Sequence, residues 1–453
     1  MRVIVPSGGV DFWIVQAARV VRQRTQRSAR SSFDSLVLGD AVAAPGADGI
    51  DASLAFTLRL SHALLGLGMS AHRVEESLDR LAVALGLEID ALCTPTAIFV
   101  TMSRAGATSP LDVRTRVVRV EPGLIDLERL SALHDLVGRV ERKEISPGDG
   151  AQRIEGILAR TPRYGPVLGV AAFGLLSTSA SILLGGSGLD VPIAGALGLV
   201  VGALDVVARP VPTFGRLLPS LAAFSVSFLA SFLASRGWPL RPSIVLLAAL
   251  VVLLPGFTVT TAMMELASAH LVSGTSRLMG GIVTFLQLGF GVALGQKAVD
   301  LLPDLPEIPT SSSLPRAALL AAPLLSALGF TVLLRARPRD ARWVLAAVLL
   351  GLLMSQAAGP VLGPELGAFT AALAVAGAAN LFARLADRPV HLMLVPGILL
   401  LVPGSVGFLS VRSLLENDAV SAVSTAFRMA LVAMALAAGV LVATAAVPPR
   451  KAL

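Results

Sequence analysis

The chain has 453 residues, of which 54% are apolar and 15% are charged, whereas soluble domains carry about 25% charged residues. Residues 1–166 hold 20 of the 37 basic and 19 of the 30 acidic side chains. These numbers exclude a single soluble globule and divide the chain near Pro166 into a water-soluble part and a lipid-facing part. The single cysteine, Cys93, excludes an intramolecular disulfide and a multi-cysteine metal site.

The net charge of +7 does not favour a nucleic-acid partner. Its excess lies in the apolar part of the chain, where basic loops set membrane topology. No cofactor and no metal site is expected from the residue pattern.

Residues 1–51 contain a short apolar segment followed by arginines and then a linker rich in Gly, Ala and Asp. A secretory signal peptide has its positive charges before the apolar run, so this segment is not one. We interpret it as a disordered tail. The alternative is a basic amphipathic helix that rests on anionic lipid.

Residues 52–166 are predicted to form a small α+β domain in the cytoplasm. One helix starts at Ala52, and a second follows Ser70 as N-cap and ends at Gly86. Three β-like runs follow at 88–93, 96–103 and 113–120, and two helices at 125–142 and 146–160 close the domain. The last helix begins at Ser146-Pro147, an N-cap followed by Pro in the first helical position.

His72, Arg73, Glu75 and Glu76 cluster at the start of the second predicted helix. His72 and Glu75 share a helical face and could bind a metal or move a proton, although a metal site needs three or four ligands. The alternative, which the spacing alone favours, is a capping and salt-bridge cluster.

The rest of the chain contains ten apolar segments of the length that spans a bilayer, about 17–25 residues. They lie at 167–184, 191–208, 217–235, 242–262, 277–296, 317–334, 343–360, 366–383, 391–411 and 419–447. We therefore predict an α-helical polytopic membrane protein of about ten transmembrane helices. These form two five-helix units, 167–300 and 317–447, joined by an acidic extracytoplasmic linker at 301–316 and followed by a tail at 448–453.

The basic residues in the loops predict the orientation. With the N-terminal domain in the cytoplasm, the cytoplasmic connections hold eleven basic residues and the opposite side holds five. The strongest contribution is the segment RARPRDAR at 335–342. The bias predicts a multi-pass protein of the bacterial cytoplasmic membrane with both termini inside.

The two units contain an internal repeat. LLPGF at 253–257 and LVPGS at 401–405 lie 148 residues apart, each at the end of the fourth apolar segment of its unit. Because each unit has an odd number of helices, the second copy must enter the membrane from the opposite side. Inverted repeats of this kind are typical of secondary transporters.

The repeated Pro-Gly pairs predict broken helices, at Pro255-Gly256 in the first unit and at Pro396-Gly397 and Pro403-Gly404 in the second. Broken helices leave backbone groups without intrahelical partners, and transporters use such groups to build substrate sites near the midplane. The alternative is a kink that only helps packing. We expect a substrate site between the units, lined by Pro255, Gly256, Thr258, Pro403, Gly404 and Ser405.

Glu265, His270, Gly274 and Arg277 follow the first break. Ionisable groups at membrane depth are costly and usually functional. Glu265 or His270 could carry protons, and Arg277 could bind a substrate carboxylate. The alternative is that 263–277 is a solvated interfacial connection.

Two further charged groups lie at or within apolar segments. Asp205 is four residues before Arg209, a spacing that predicts a local ion pair. Arg428 lies inside the last apolar segment and needs a partner, for which Glu416 or Asp418 are the candidates.

Five blocks of the sequence resemble the threonine/serine exporter family and occur in that family's order. They are GMSAHRVEESLDRLAVALGL (68–87), TPTAIFV (94–100), LERLSALHDLVGRV (127–140), TPRYGPVLGVAAFGLLSTSASILLGGSGLD (161–190) and LLPGFTVTTAMMELASAHLVSGTSRL (253–278). The resemblance extends from about residue 55 to 440 and is weaker in the second unit. It implies a cytoplasmic N-terminal domain, ten spans and proton-driven amino-acid export. It also strengthens the hypothesis that the block from His72 to Glu76 has a function beyond capping and ion pairing.

We therefore expect a proton antiporter that exports small polar amino acids, namely threonine and serine, and not an enzyme. One alternative is an uncoupled channel or structural membrane protein, which flux without dependence on a pH gradient would indicate. The other is a membrane-anchored enzyme with a catalytic N-terminal domain, although no nucleophile elbow, HExxH or phosphate loop is present. The sequence leaves the oligomeric state open, a homo-oligomer included.

Overall fold

The computed structural model describes residues 49–106, 113–301 and 314–448. Three segments named in the sequence predictions lie outside the described residues. They are the predicted tail at 1–48, most of the acidic linker and the end of the C-terminal tail.

The N-terminal domain has the element order that its sequence predicts. Its elements are α1 (Ile50–Gly66), α2 (Ala71–Leu85), β1 (Leu87–Cys93), β2 (Ala97–Arg104), β3 (Arg114–Arg119), α3 (Leu127–Glu141) and α4 (Pro147–Leu158). Gly86 ends α2 with φ of 67°, a left-handed conformation that glycine adopts without strain. Ser146 caps α4 by accepting a hydrogen bond from Asp149 N–H.

The three strands form one antiparallel sheet in the order β1-β2-β3. One face of the sheet is buried under the helices, since α1 packs on β2 and α2 packs on β1. The buried side chains of β2 alternate, as an amphipathic strand requires: Ile98, Val100 and Met102 are buried, whereas Phe99 is exposed. The hydrophobic core under the sheet continues into the helical bundle, through residues that include Phe330, Leu334 and Val344.

The membrane part consists of twelve α-helices within the described residues. They are α5 (Pro166–Leu183), α6 (Asp190–Ala208), α7 (Pro212–Ser235), α8 (Pro242–Leu250), α9 (Gly256–Ala267), α10 (Leu271–Asp300), α11 (Arg316–Leu333), α12 (Ala341–Leu362), α13 (Pro364–Ala386), α14 (His391–Leu401), α15 (Gly404–Leu415) and α16 (Ala419–Ala446). Eight of the described helical segments are long and apolar enough to cross a membrane, with Pro338–Leu362 and His391–Leu415 each taken as one segment. The chain is therefore a multi-pass membrane protein.

Two of the ten expected spans are not among these eight. The fourth expected span, 242–262, divides into α8 and α9, and the sixth contributes a shorter apolar helix at Ala318–Leu333. The break at Pro255-Gly256 is confirmed, because Pro255 is the N-cap of α9. The expected break at Pro396-Gly397 is wrong, because α14 continues through both residues and ends at Leu401.

Helix packing follows the same pattern in both units. In the first unit, α5 packs on α6, α6 on α7, α7 on α10 and α9 on α10, while α8 lies against α5, α6 and α7. In the second unit, α11 packs on α12, α12 on α13, α13 on α16 and α15 on α16, while α14 lies against α11, α12 and α13. Each helix of the first unit thus corresponds to the helix six positions later.

The contacts between the units are reciprocal as well. Helix α5 packs on its counterpart α11, α9 packs on its counterpart α15, and α9–α16 is matched by α10–α15. At the first of these contacts, Ser179 Oγ lies 2.7 Å from Ser326 Oγ. The two units therefore contact each other through matched pairs of helices.

The N-terminal domain packs against one end of the helical bundle. Leu127 N–H donates to the Leu334 carbonyl at 2.9 Å, Tyr164 O–H donates to the Ala336 carbonyl at 2.8 Å, and Arg335 pairs with Asp126 at 3.2 Å. The basic segment 335–342 therefore lies on the same side of the bundle as the N-terminal domain.

Candidate functional site

The two interrupted helices meet at their breaks. Helix α9 begins at Gly256 and α15 at Gly404, each directly after a proline. A methyl group at Gly256 would lie 2.8 Å from Gly404 N and 2.9 Å from Gly404 Cα. Because only glycine allows two backbones to come this close, the repeated motif forms a backbone-to-backbone crossing between the units.

Glu265 is fully buried near the C-terminal end of α9. Its Oε1 accepts hydrogen bonds from Ala71 N–H at 2.9 Å and from Arg277 Nε at 3.0 Å, and its Oε2 accepts from Ser273 Oγ at 2.8 Å. Arg277 Nη2 also donates to the Met69 carbonyl at 3.2 Å. The Glu265–Arg277 pair thus joins the bundle to the N-terminal domain at the start of α2.

Helix α2 consequently receives its N-terminal cap from a membrane helix. Ser70 occupies the N-cap position that the sequence predicts, but its side chain makes no capping hydrogen bond. Glu265, 194 residues away from Ala71, accepts that N–H instead. A carboxylate at a helix N-terminus is favoured both by the free N–H groups and by the helix dipole.

A tight turn between α9 and α10 positions His270. Ala269 has φ of 63°, and His270 N–H donates back to the Glu265 carbonyl at 2.8 Å, as in a Schellman C-cap. The His270 ring then contacts two oxygens: Nδ1 lies 2.8 Å from the Ser268 carbonyl and Nε2 lies 2.8 Å from Glu75 Oε2.

Glu75 also contacts the edge of the sheet. Its Oε1 accepts a hydrogen bond from Cys93 N–H at 2.6 Å. Burial of the Cys93 side chain, with further contributions from Glu75 and Glu265, raises the pKa of the thiol to about 12. Cys93 is therefore an unreactive thiol in the folded protein.

A cavity of about 180 Å³ lies between the N-terminal domain and the bundle. The domain contributes the turn from Leu67 to Ser70 and the side chains of His72, Arg73 and Glu76. The bundle contributes residues of three helices, α9, α14 and α16, namely Phe257, Thr261, Met264, His391, Leu394, Val395, Ile398, Val440, Leu441 and Thr444. The cavity is thus shared between the N-terminal domain and the helical bundle.

Two residues that line this cavity carry buried polar atoms without a hydrogen-bond partner among the described residues, Thr261 Oγ1 and His72 Nδ1. Burial is the main cause that lowers the pKa of His72, to about 3, and Arg73 is the next. The imidazole is therefore neutral at neutral pH. Buried polar groups are normally satisfied, so each of these two atoms can take a polar partner, water or ligand, from the cavity.

The structure brings together two groups of residues that the sequence presents separately. His72, Glu75, Glu265, His270 and Arg277 lie around the start of α2, with the ring centroids of His72 and His270 5.9 Å apart. Arg73 is buried and pairs with Glu76 at 3.1 Å. These contacts are those of an ion-pair cluster, and in the described part of the chain no group of three or more His, Cys, Asp and Glu side chains is placed to hold a metal ion.

The six residues expected to line a site between the breaks are at the crossing of the units and are not among the cavity-lining residues. Thr258 and Ser405 are half-buried, whereas Pro255 and Pro403 are buried. Gly274 has a packing function, because a methyl group there would lie 2.6 Å from Leu266 Cγ.

Sequence reasoning missed Thr261, Ser273 and His391. Thr261 is one of several hydroxyl residues in α9, and His391 stands at the first position of an otherwise apolar helix. The histidine offered a signal, since an ionisable residue within an apolar segment is rare. Nothing in the sequence distinguishes Thr261 from Thr260.

Family models match most of the chain. A threonine/serine exporter model matches residues 55–299, and a second, described as "Threonine/Serine exporter, ThrE", matches residues 319–446. The chain belongs to the threonine/serine exporter family. Membership favours transport over catalysis, and the resemblance seen in the sequence is confirmed.

The chain is also similar to fungal membrane proteins. It is 28% identical over 247 residues to pheromone-regulated membrane protein 10 of Pichia sorbitophila and 29% identical over 244 residues to that of Debaryomyces hansenii. An uncharacterised protein of Schizosaccharomyces pombe is 29% identical over 246 residues. These matches cover 53% of this chain but only 24%, 24% and 29% of the three relatives. No solved structure matches.

Proposed function

We propose that this protein exports small polar amino acids, threonine and serine, across the bacterial cytoplasmic membrane by proton antiport. The observation that carries the proposal is the crossing of the two interrupted helices at Gly256 and Gly404. Paired broken helices at the interface of two repeats are the arrangement in which secondary transporters alternate access to a central site. Family membership supports the substrate class.

The second unit is an inverted copy of the first in this proposal. Helix α5 begins beside the N-terminal domain, since it follows Tyr164, whose side chain contacts Ala336. Its counterpart α11 instead ends beside that domain, at Leu334. Counterparts that run in opposite directions are expected for two five-span units, with α8–α9 and α14–α15 each forming one interrupted span.

The contacts around 335–342 support an orientation with both termini inside. This basic segment lies on the side of the N-terminal domain, and Arg388 approaches Asp340 within 4.0 Å. The Arg384 guanidinium donates to the Pro448 carbonyl at 2.7 Å, so the end of α16 lies at the same end of the bundle. Basic connections collect on the cytoplasmic side of bacterial membranes.

The Glu75–His270 pair is our candidate for the proton-carrying group. Because the Ser268 carbonyl can only accept, Nδ1 of His270 must carry a hydrogen, and a second proton must lie between Nε2 and Glu75. The pair therefore holds one proton, and its release leaves the Glu75 carboxylate beside a neutral imidazole. Glu265 is less suited to this function, because three donors hold its carboxylate.

The test is transport by the purified full-length chain in liposomes loaded with labelled threonine or serine. We expect efflux to follow an imposed pH gradient and to cease when a protonophore collapses it. Flux that ignores the gradient would replace the antiporter with an uncoupled channel. Protein that melts cooperatively but moves neither amino acid would overturn the proposal.

A further inference from the structure

We propose that the cavity between α2, α9, α14 and α16 is the site that binds the exported amino acid, and that Arg73, His72 and Thr261 bind its carboxylate, ammonium and side-chain hydroxyl. The inference rests on the proposed function, because it names the substrate site of that transport. It makes the N-terminal domain a part of the binding site, since two of the three residues belong to α2.

The size of the cavity suits a small amino acid. Its volume of about 180 Å³ leaves room for several water molecules. A small amino acid such as threonine or serine fits this space. The bundle side of the lining is mostly apolar, with Phe257, Leu394 and Ile398, but it also contains the polar residues Thr261, His391 and Thr444, and α2 adds further polar side chains.

Arg73 is better suited to a substrate carboxylate than Arg277. The Arg277 guanidinium already donates to Glu265 and to the Met69 carbonyl. Arg73 is buried, lines the cavity and uses Nη1 for its hydrogen bond to Glu76. A guanidinium has five donor hydrogens and binds carboxylates through two parallel hydrogen bonds, so Arg73 retains capacity for a ligand.

His72 and Glu76 can receive the ammonium group. Because the His72 imidazole is neutral at neutral pH, its unpartnered Nδ1 can accept a hydrogen bond from an ammonium donor. Glu76 lines the same cavity, and its carboxylate, which also pairs with Arg73 and Arg80, contributes negative charge beside the ammonium position. An α-amino acid presents its carboxylate and ammonium groups on one carbon, which matches acceptors and donors placed side by side at the start of one helix.

Thr261 distinguishes hydroxyl amino acids from their apolar analogues. Its Oγ1 is buried without a partner, whereas Thr260 Oγ1 on the same helix donates to the Gly256 carbonyl at 3.0 Å. A site with an unsatisfied polar group gains most from a ligand that satisfies it. We therefore expect threonine to bind more tightly than 2-aminobutyrate, which has the same carbon skeleton without the hydroxyl.

The experiment compares Thr261→Val with Thr260→Val in the full-length protein. Binding of labelled threonine is measured in detergent, with 2-aminobutyrate as competitor, and threonine efflux is measured in liposomes. We expect Thr261→Val to weaken threonine binding about tenfold and to leave 2-aminobutyrate binding unchanged or improved. Thr260→Val, the matched control, should keep the wild-type preference. Arg73→Lys should weaken both ligands, because it loses the bidentate contact.

The outcomes separate this site from the transport function. Wild-type flux with a threonine preference that Thr261→Val does not change would overturn the site and leave the exporter standing. Wild-type protein that binds threonine with the expected Thr261 dependence but moves none would support the site and overturn export. Folded protein that binds no amino acid would overturn the site directly.

Discussion

His270 Nε2 lies 2.8 Å from Glu75 Oε2, although the two residues are 195 positions apart. The contact joins the turn between α9 and α10 to the second helix of the N-terminal domain. Together with the hydrogen bond from Ala71 to Glu265, it fixes the start of α2 to the bundle. Movement of the domain away from the cavity must break both contacts.

The first prediction concerns this attachment, and Cys93 reports on it. The thiol is buried and its pKa is raised to about 12 by burial, then by Glu75 and Glu265, so maleimide should modify it slowly at pH 7.5. His270→Ala removes one of the contacts between α2 and the bundle and should increase the rate of modification up to about tenfold. Mass spectrometry of the single-cysteine protein in liposomes measures the rate directly.

Lys297→Ala is the control, because Lys297 forms an exposed pair with Asp300 far from the domain. It should modify at the wild-type rate. If His270→Ala also reacts at the wild-type rate, the pair does not restrain the domain.

The second prediction concerns the Glu265–Arg277 pair. Glu265→Gln preserves the shape of the side chain but leaves the Arg277 charge without its partner, which costs about 3–5 kcal/mol when a buried pair is broken. The double variant Glu265→Gln/Arg277→Met removes both charges and should recover much of this loss. Denaturation midpoints of the purified proteins measure the two effects.

Asp205→Asn serves as the comparison, since its pair with Arg209 lies at an exposed helix end. Pairs of that kind contribute about 0–1 kcal/mol, so the midpoint should change little. A Glu265→Gln protein as stable as Asp205→Asn would mean that the buried pair does not hold the domain.

Local features of this fold could be read from the sequence, because neighbours in the chain decide them. Gly86 ends α2, Ser146 caps α4 and Asp205 pairs with Arg209 as predicted. In each case the partner lies within four residues, so the pattern of residue types carries the information.

Features that depend on packing between helices could not be read in this way. Arg428 pairs with Glu365 at 3.6 Å, not with Glu416 or Asp418, because the packing of α16 on α13 decides which carboxylate it reaches. The cap of α2 by Glu265 and the unpartnered hydroxyl of Thr261 have the same origin. The two charged clusters were identified, but their contact with each other depends on how the domain packs on the bundle.

The third prediction concerns the crossing of the two interrupted helices. Gly256→Ala places a methyl group 2.8 Å from a backbone nitrogen of Gly404, and overpacking of this kind costs about 1–3 kcal/mol. Gly404→Ala should cost less, because its nearest neighbour is the Leu254 side chain at 3.0 Å. Denaturation midpoints and threonine flux should both decrease, and the decrease should be larger for Gly256→Ala than for Gly404→Ala.

Gly280→Ala is the matched control within α10, since nothing lies within 4 Å of the added methyl group. It should be neutral or slightly stabilising, because alanine favours the helix over glycine by about 1 kcal/mol. Equal midpoints for Gly256→Ala and Gly280→Ala would show that the backbones at Gly256 and Gly404 can move apart without loss of stability.

The fourth prediction is a pH dependence that originates at His72. Its pKa in the folded protein is lowered to about 3, chiefly by burial, whereas an unfolded histidine has a pKa of about 6.5. Between these values the unfolded chain binds a proton that the folded protein does not. This group therefore lowers the free energy of unfolding as pH falls below 6.5, by at most about 1.4 kcal/mol for each pH unit. Above pH 7 it has no such effect, because His72 is neutral in both the folded and the unfolded protein.

His72→Gln should remove this contribution, so the denaturation midpoint of this variant should fall less than that of the wild type between pH 7 and pH 5. Parallel pH profiles for the two proteins would contradict a neutral, buried His72 beside the cavity.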